Sequence, residues 1–213
     1  MDFYYMPPSP PCRAVDMCAK AVGVTLNKKV LHLMDGEHMN PDFVKLNPQH
    51  CIPTIVDDGF VLWESRPILI YLAEKYDKSG LLYPKVPKTK AIINQRLYFD
   101  MSVFFTSFMD YYRPIMMFHQ PPNPEKFKEI EKAFELLDTF LTAKPYVADT
   151  DTYTIADISL LSTMTNFDMA GFDYSKYPNV AKWYANCKQV IPGYEENVID
   201  CNDMKYFKPR NQQ

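Results

Sequence analysis

Ser9 stands inside a proline cluster, Pro7-Pro8-Ser9-Pro10-Pro11, where a short aromatic segment gives way to a helical one. A hydroxyl at such a junction can donate a hydrogen bond to an anion held beside the helix start. On local sequence alone, shaping a proline turn is its commoner role. Tyr4 and Tyr5 offer phenol hydroxyls nearby, and strand alternation points them to opposite faces. Cys12 lies at the helix start, where thiols become reactive. It has no second cysteine two or three residues away, which favours a packing role. Glu64-Ser65-Arg66 sets an anion, a hydroxyl and a cation immediately before a helix. The backbone N–H groups of Ser65 and Arg66 can take a carboxylate there, with Glu64 left for an ammonium; an ordinary helix start reads the same way. At Ile52-Pro53 a cis bond would turn the Ile52 backbone toward a peptide ligand, pairing with it like an added strand, although trans is the default.

These residues need elements to position them. Residues 2–6 are rich in aromatics, as a strand should be. Val15, Cys18, Ala19 and Val22 then fall on one helical face, and Gly23 is the stop. Residues 29–33 read as a second strand. Residues 54–57 and 60–63 flank Asp58-Gly59, a strong hairpin signal, and a helix follows over 66–76. The order is βαβ, then a hairpin, then a helix, which suits a small mixed sheet with a crossover helix. Residues 78–89, with Gly80, Pro84 and Pro87, read as a linker.

Beyond residue 90 the period becomes 3.6. Ile93, Leu97, Met101, Phe104, Phe108 and Tyr112 recur every three or four positions, as do Phe127, Ile130, Phe134, Leu137 and Leu141. Thr154-Ile155-Ala156-Asp157 resembles a capping box opening a helix that stops near Gly171. Pro178 suits the first position of another, carrying Val180, Trp183, Tyr184 and Cys187. The expected domains are 1–77, mixed α/β, and 90–213, all helical. Asp100 reads locally as part of a solvated polar face.

With 213 residues, 47% hydrophobic and 15% aromatic, the chain can bury a substantial core. A net charge of -3 and the lack of a Lys/Arg-dense run argue against nucleic acid. The five cysteines are scattered and show no CxxC or Cys/His ligand spacing, so neither a disulfide framework nor a metal site is expected. No apolar run approaches the roughly 20 residues that span a bilayer, and the N-terminus lacks the pattern of a signal peptide. A cytoplasmic protein is expected.

Several of these stretches resemble the cytosolic glutathione transferases. The run from Asp2 to Arg13 is similar to the N-terminus of the insect delta class, with the epsilon class a close relative. Asn47-Pro48-Gln49-His50-Cys51-Ile52-Pro53-Thr54 resembles the family's approach to its cis-proline. Trp63-Glu64-Ser65-Arg66 resembles its glutathione-binding turn, and Thr154 to Asp157 the N-cap of its long core helix. The matches occur in the right order from residue 2 to about residue 195.

The resemblance implies a thioredoxin-like βαβ-ββα domain followed by an all-α domain that contributes the electrophile pocket. It implies an enzyme that conjugates the thiolate of glutathione, its co-substrate, to apolar electrophiles in detoxification, with peroxidase or dehydrohalogenase side activity and no separate cofactor. Ser9 would be the catalytic hydroxyl. His38, His50, Cys51, Ile52, Pro53, Glu64, Ser65 and Arg66 would contact glutathione. In a homodimer Asp100 would approach Arg66 of the partner subunit and the glutathione amine. Phe105, Phe108, Tyr112, Met116 and Phe207 would line the electrophile pocket, although aromatics at helical spacing are more often core. No nucleic acid or membrane partner is implied.

The class usually has glycine and alanine around its serine, whereas here Pro8 and Pro10 restrain Ser9 to an extended conformation. Arg113 and Met117 stand where the class often has aromatics. The same fold could therefore serve as a low-turnover carrier of apolar ligands, and a thiol–disulfide oxidoreductase using Cys12 is a third reading.

Overall fold

The computed structural model describes residues 1–207. Two units pack separately: Met1–Lys78 joined by the chain from Pro192 onward, and Ser79–Ile191.

In the first unit, β1 (Asp2–Tyr5), α1 (Pro10–Ala21) and β2 (Asn27–Val30) form a parallel βαβ crossover. Two 3-10 turns (Leu33–Asp35 and Glu37–Met39) and a short helix, α2 (Pro41–Leu46), follow. Then come β3 (Thr54–Asp57), β4 (Phe60–Trp63) and α3 (Ser65–Tyr76). The sheet order is β2-β1-β3-β4, with β3 antiparallel to both of its neighbours. Asp58 and Gly59 both have positive φ, 50° and 84°, as a two-residue hairpin turn with native twist requires. Phe3 and Ile55 from the sheet, Val15 and Cys18 from α1, and Ile68, Leu69 and Leu72 from α3 are fully buried. α1 begins two residues earlier than its apolar pattern indicates, because Pro10 and Pro11 fill its first positions.

In the second unit, α4 (Pro87–Phe99) runs through a π segment (Asp100–Phe104) into α5 (Phe105–Phe118). The Phe105 N–H bonds to the Asp100 carbonyl, the wider spacing of a π turn. α6 (Pro124–Phe140), α7 (Ile155–Met169) and α8 (Pro178–Val190) complete the bundle. α7 is buried along its whole length from Ile155 to Phe167, which marks it as the central helix. The Thr154–Asp157 capping box is formed. Phe104, Phe134, Phe167 and Phe172 make ring contacts with centroids 4.4–5.8 Å apart. Of the expected linker 78–89, Leu82 and Tyr83 are buried in this unit; the Leu82 carbonyl accepts the Ile155 N–H.

The chain from Pro192 departs from the expectation that 90–213 forms one domain. α9 (Tyr194–Cys201) and a final 3-10 turn (Met204–Phe207) rejoin the first unit. Arg13 and Asn197, both buried, bond there, and Lys20 pairs with Glu196 at 2.9 Å. These polar partners lie far apart in sequence, so periodicity gives no sign of them. Among the described residues no helix is long and apolar enough to cross a membrane.

Candidate functional site

Three loops meet at one end of the sheet because of strand register. Tyr4 pairs with Thr54, and Thr54 with Trp63. The chain leaving β1 toward Ser9, the chain entering β3 through Cys51-Ile52-Pro53, and the chain leaving β4 into Glu64-Ser65-Arg66 therefore emerge side by side. Tyr5 pairs with Val30, so the segment leading to His38 leaves from the same end.

Ser9 is the N-cap of α1, extended at φ -73° and ψ 115°, as its flanking prolines require. Its N–H donates to the Met6 carbonyl at 3.1 Å, and its carbonyl accepts the Arg13 N–H at 3.0 Å. The backbone N–H is thus engaged, and the hydroxyl is the donor Ser9 has left. An N-cap serine ordinarily accepts from the amides of the first turn. Pro10 and Pro11 have no amide hydrogen to give, and the Ser9 side chain makes no capping bond. Its hydroxyl instead bears on the Cys12 sulfur. Cys12 is fully buried, and burial pushes its thiol up to about 12 against the hydrogen bonds from Ser9 and the Met6 backbone. Full burial and a raised pKa both argue against Cys12 as a redox nucleophile. Tyr5 is also pushed up to about 12, by burial and then by Asp200 and Tyr206. Tyr4 packs its ring against Phe43.

The Ile52-Pro53 bond is cis. Asn47 braces the loop before it: Nδ2 donates to the Cys51 carbonyl at 3.0 Å and to Thr54 Oγ1 at 2.9 Å, while Oδ1 accepts the Gln49 N–H. Asn47 is fully buried, and sequence reasoning passed over its role. Its position before Pro48, where Asx side chains close turns, was the available signal. The Trp63 indole N–H reaches Gln49 Oε1 at 2.8 Å, tying this loop to the end of β4.

Glu64 is exposed and holds φ 69° and ψ 115°, a left-handed conformation for a residue with a Cβ. It is the N-cap of α3 without a side-chain capping bond. Ser65 is buried and its hydroxyl accepts from Arg66 Nη1 at 3.0 Å. The hydroxyl and cation are thereby set together at the start of α3. His38 and His50 have ring centroids 6.0 Å apart. Burial and then His50 lower the pKa of His38, whose buried Nδ1 has no hydrogen-bond partner among the described residues. Cys51 is half-buried.

Asp100 is fully buried, where local sequence reads a solvated face. Its carboxylate accepts from Ser159 Oγ at 2.5 Å and Thr163 Oγ1 at 2.8 Å, two hydroxyls one helical turn apart on α7. Those hydroxyls carried no sign of a partner 59 and 63 residues earlier. Phe105, Phe108, Tyr112 and Met116 share one stripe of α5. Phe108 is buried; it stacks on Tyr112 at 4.8 Å and meets Phe167 edge-on at 5.1 Å. It is a core residue first. Phe105 and Tyr112 are half-buried and Met116 is 46% exposed, so the stripe opens toward the end of the helix. Phe207 is half-buried in the last described turn of the first unit. No cluster of three or more metal-binding side chains occurs among the described residues.

Two family models match the chain: the glutathione S-transferase N-terminal domain over residues 8–75, and the C-terminal domain over 101–189. A delta-class glutathione transferase of Nilaparvata lugens is 44% identical, with 97% of each chain covered and a TM-score of 0.92. A glutathione transferase of Bombyx mori is 42% identical, with 97% of this chain and 96% of that one covered and a TM-score of 0.93. An epsilon-class enzyme of the housefly, Musca domestica, is 32% identical over 95% and 94%, with a TM-score of 0.87.

Proposed function

This chain belongs to the glutathione S-transferase family and is a glutathione transferase, and we propose that Ser9 holds bound glutathione as the thiolate for attack on apolar electrophiles. The observation that carries this reading is the Ser9 hydroxyl itself. It has no capping bond and stands at the sheet end shared by the cis-proline loop and the Glu64 turn.

The magnitudes suffice. A thiol of pKa about 8.5 is mostly protonated at neutral pH, and lowering it by about two units takes roughly 2.7 kcal/mol. A hydrogen bond to a charged group contributes about 1.5–3 kcal/mol, and a helix N-terminus about 0.3–1. Ser9 acts as a donor and not as a base. The thiol proton passes to water.

The rest of the ligand follows the chemistry of the loops. The Ile52 backbone pairs with the peptide of glutathione, Ser65 and Arg66 take the γ-glutamyl carboxylate, and Glu64 takes the ammonium. His38, with its unpartnered Nδ1, faces the glycine end together with His50. The thiolate then attacks an electrophilic carbon; a sulfur–carbon bond forms as the leaving group departs with its electron pair. The proposed setting is a cytoplasmic homodimer acting in detoxification, with peroxide reduction or dehydrohalogenation open to the same thiolate.

The test is Ser9→Ala, followed by thiolate absorbance of the glutathione complex against pH and by conjugation of a chloronitrobenzene. The expected result is a rise of about one to two units in the pKa of bound glutathione, turnover falling in proportion and affinity nearly unchanged. An unshifted titration removes Ser9 from the mechanism. Pro8 and Pro10, which stiffen the serine loop, favour a second reading as a carrier. In that case the wild-type protein retains ligand and forms no product.

A further inference from the structure

The segment from Pro192 to Phe207 meets the first unit at the end of β1, along α1 and after β2. At the end of β1, Tyr5 lies within the electrostatic reach of Asp200 and Tyr206. On α1, Arg13 Nη1 donates to both Oδ1 and the backbone carbonyl of Asn197. After β2, the rings of His32 and Tyr206 are 5.4 Å apart. Farther along α1, Lys20 bridges Asp16 and Glu196, and the Lys20 stem packs so closely on Gly193 that a Cβ there would stand 2.6 Å from Lys20 Cδ.

The Arg13–Asn197 contact differs from the others in its burial. Arg13 is 2% exposed and Asn197 is 3% exposed. A charge-assisted hydrogen bond in so dry a place is strong and geometrically strict. Arg13 is also the residue whose N–H holds the Ser9 carbonyl. Pro10 and Pro11 offer no amide hydrogens, so the body of α1 holds the serine through the Arg13–Ser9 backbone bond and the contact of its hydroxyl with Cys12. We propose that Asn197 is a positioning residue for catalysis: through Arg13 it fixes the first turn of α1 and so the direction of the Ser9 hydroxyl. The inference rests on the reading of Ser9 as the thiolate donor. A segment 184 residues distant in sequence thereby becomes part of the glutathione site.

The test compares Asn197→Ala, Asn197→Asp, Lys20→Ala and Ser9→Ala, each alone, and Asn197→Ala combined with Ser9→Ala. The readouts are the pKa of bound glutathione from thiolate absorbance, kcat, and KM for the electrophile. Asn197→Ala is expected to raise that pKa by about half a unit and lower kcat about threefold at neutral pH, leaving KM for the electrophile unchanged. Asn197→Asp keeps acceptor oxygens for Arg13 and restores the wild-type titration. Lys20→Ala removes the ion pairs with Asp16 and Glu196 and the packing on Gly193, leaves the Arg13–Asn197 bond intact, and shifts nothing. In the double variant the Asn197 substitution adds no shift to that of Ser9→Ala. Should Ser9→Ala shift the pKa while a folded Asn197→Ala does not, this inference alone fails. The same holds if Asn197→Asp titrates like an Asn197→Ala that does shift. Should Ser9→Ala itself leave the pKa in place, the reading of Ser9 fails and the inference with it. If Asn197→Ala does not fold, Asn197→Asp is compared with and without Arg13→Lys: a wild-type titration for Asn197→Asp and a raised pKa on adding Arg13→Lys support the inference, and an unchanged pKa and kcat in both overturn it.

Discussion

The indole N–H of Trp183 donates to Asp157 Oδ1 at 2.9 Å, joining the middle of α8 to the first turn of α7. The same carboxylate accepts from the Val147 N–H, the Thr154 N–H and the Thr154 hydroxyl. Removing it leaves all of these donors buried and unsatisfied. Asp157→Ala is therefore expected to destabilise the protein by about 3–5 kcal/mol, toward the upper end of single substitutions. Chemical denaturation measures it, and a loss below about 1 kcal/mol would show that the helical unit does not depend on this acceptor.

Asp57 carries a second prediction, in pH. Burial alone would raise its pKa, but hydrogen bonds from Lys75, Tyr71 and Tyr76 outweigh it and hold the carboxyl at about 2, below the usual 3.8. A depressed carboxyl stabilises the fold above its unfolded pKa, and that contribution is lost as pH falls through the folded value. Stability should decline between about pH 4 and pH 2. Asp57→Asn should be less stable at neutral pH and should lose less over this window. Parallel denaturation curves at several acidic pH values decide it; equal slopes for both proteins would rule the contribution out.

Glu64 holds φ 69° with ψ 115°, a strained pair for a residue with a Cβ that glycine bears at lower cost. Glu64→Gly is expected to raise stability by about 1 kcal/mol by relieving that strain. If the carboxylate meets the glutathione ammonium, the same change raises KM for glutathione. Thermal unfolding and initial rates test the two halves separately. A less stable variant would mean that the side chain holds the turn in place.

Pro10 is the first residue of α1, where its fixed φ suits the helix. Pro10→Ala should cost about 0.4–1 kcal/mol, because the unfolded chain gains freedom. Ser9 should gain mobility at the same time, seen as faster exchange of the Arg13 amide hydrogen. A variant as stable as the wild type would show that this proline adds no restraint.

The parts of the fold that repeat or punctuate were legible in the sequence. Asp58-Gly59 located both hairpin strands to the residue, and Thr154 to Asp157 located the start of α7. The second strand was expected over 29–33 and occurs at Asn27–Val30, since exposed edge residues such as Asn27 and Lys28 resemble a loop. The 3-10 turns after β2 and the six-residue α2 are too short to show a period. Ser9 and Glu64-Ser65-Arg66 sit in local motifs that the resemblance singled out, although local sequence alone read them as a proline turn and an ordinary helix start. Asn47, the burial of Asp100 and the Arg13–Asn197 bond could not be picked out, because each depends on a partner brought near only by folding.

The wide turn at Asp100–Phe104 works as a phase adjuster along the α4–α5 rod. Each residue of a regular helix advances about 100° around the axis, so one additional residue absorbed in this turn resets the angular position of all that follows. Asp100 can point inward to Ser159 and Thr163 while Phe108 and Tyr112, farther along, still face the aromatic cluster. A one-residue deletion in this stretch would remove the residue the turn absorbs and restore a regular helix with those rings in place, whereas a further one-residue insertion would swing them by about 100° toward water. The rod therefore tolerates the loss of one residue here far better than the gain of one.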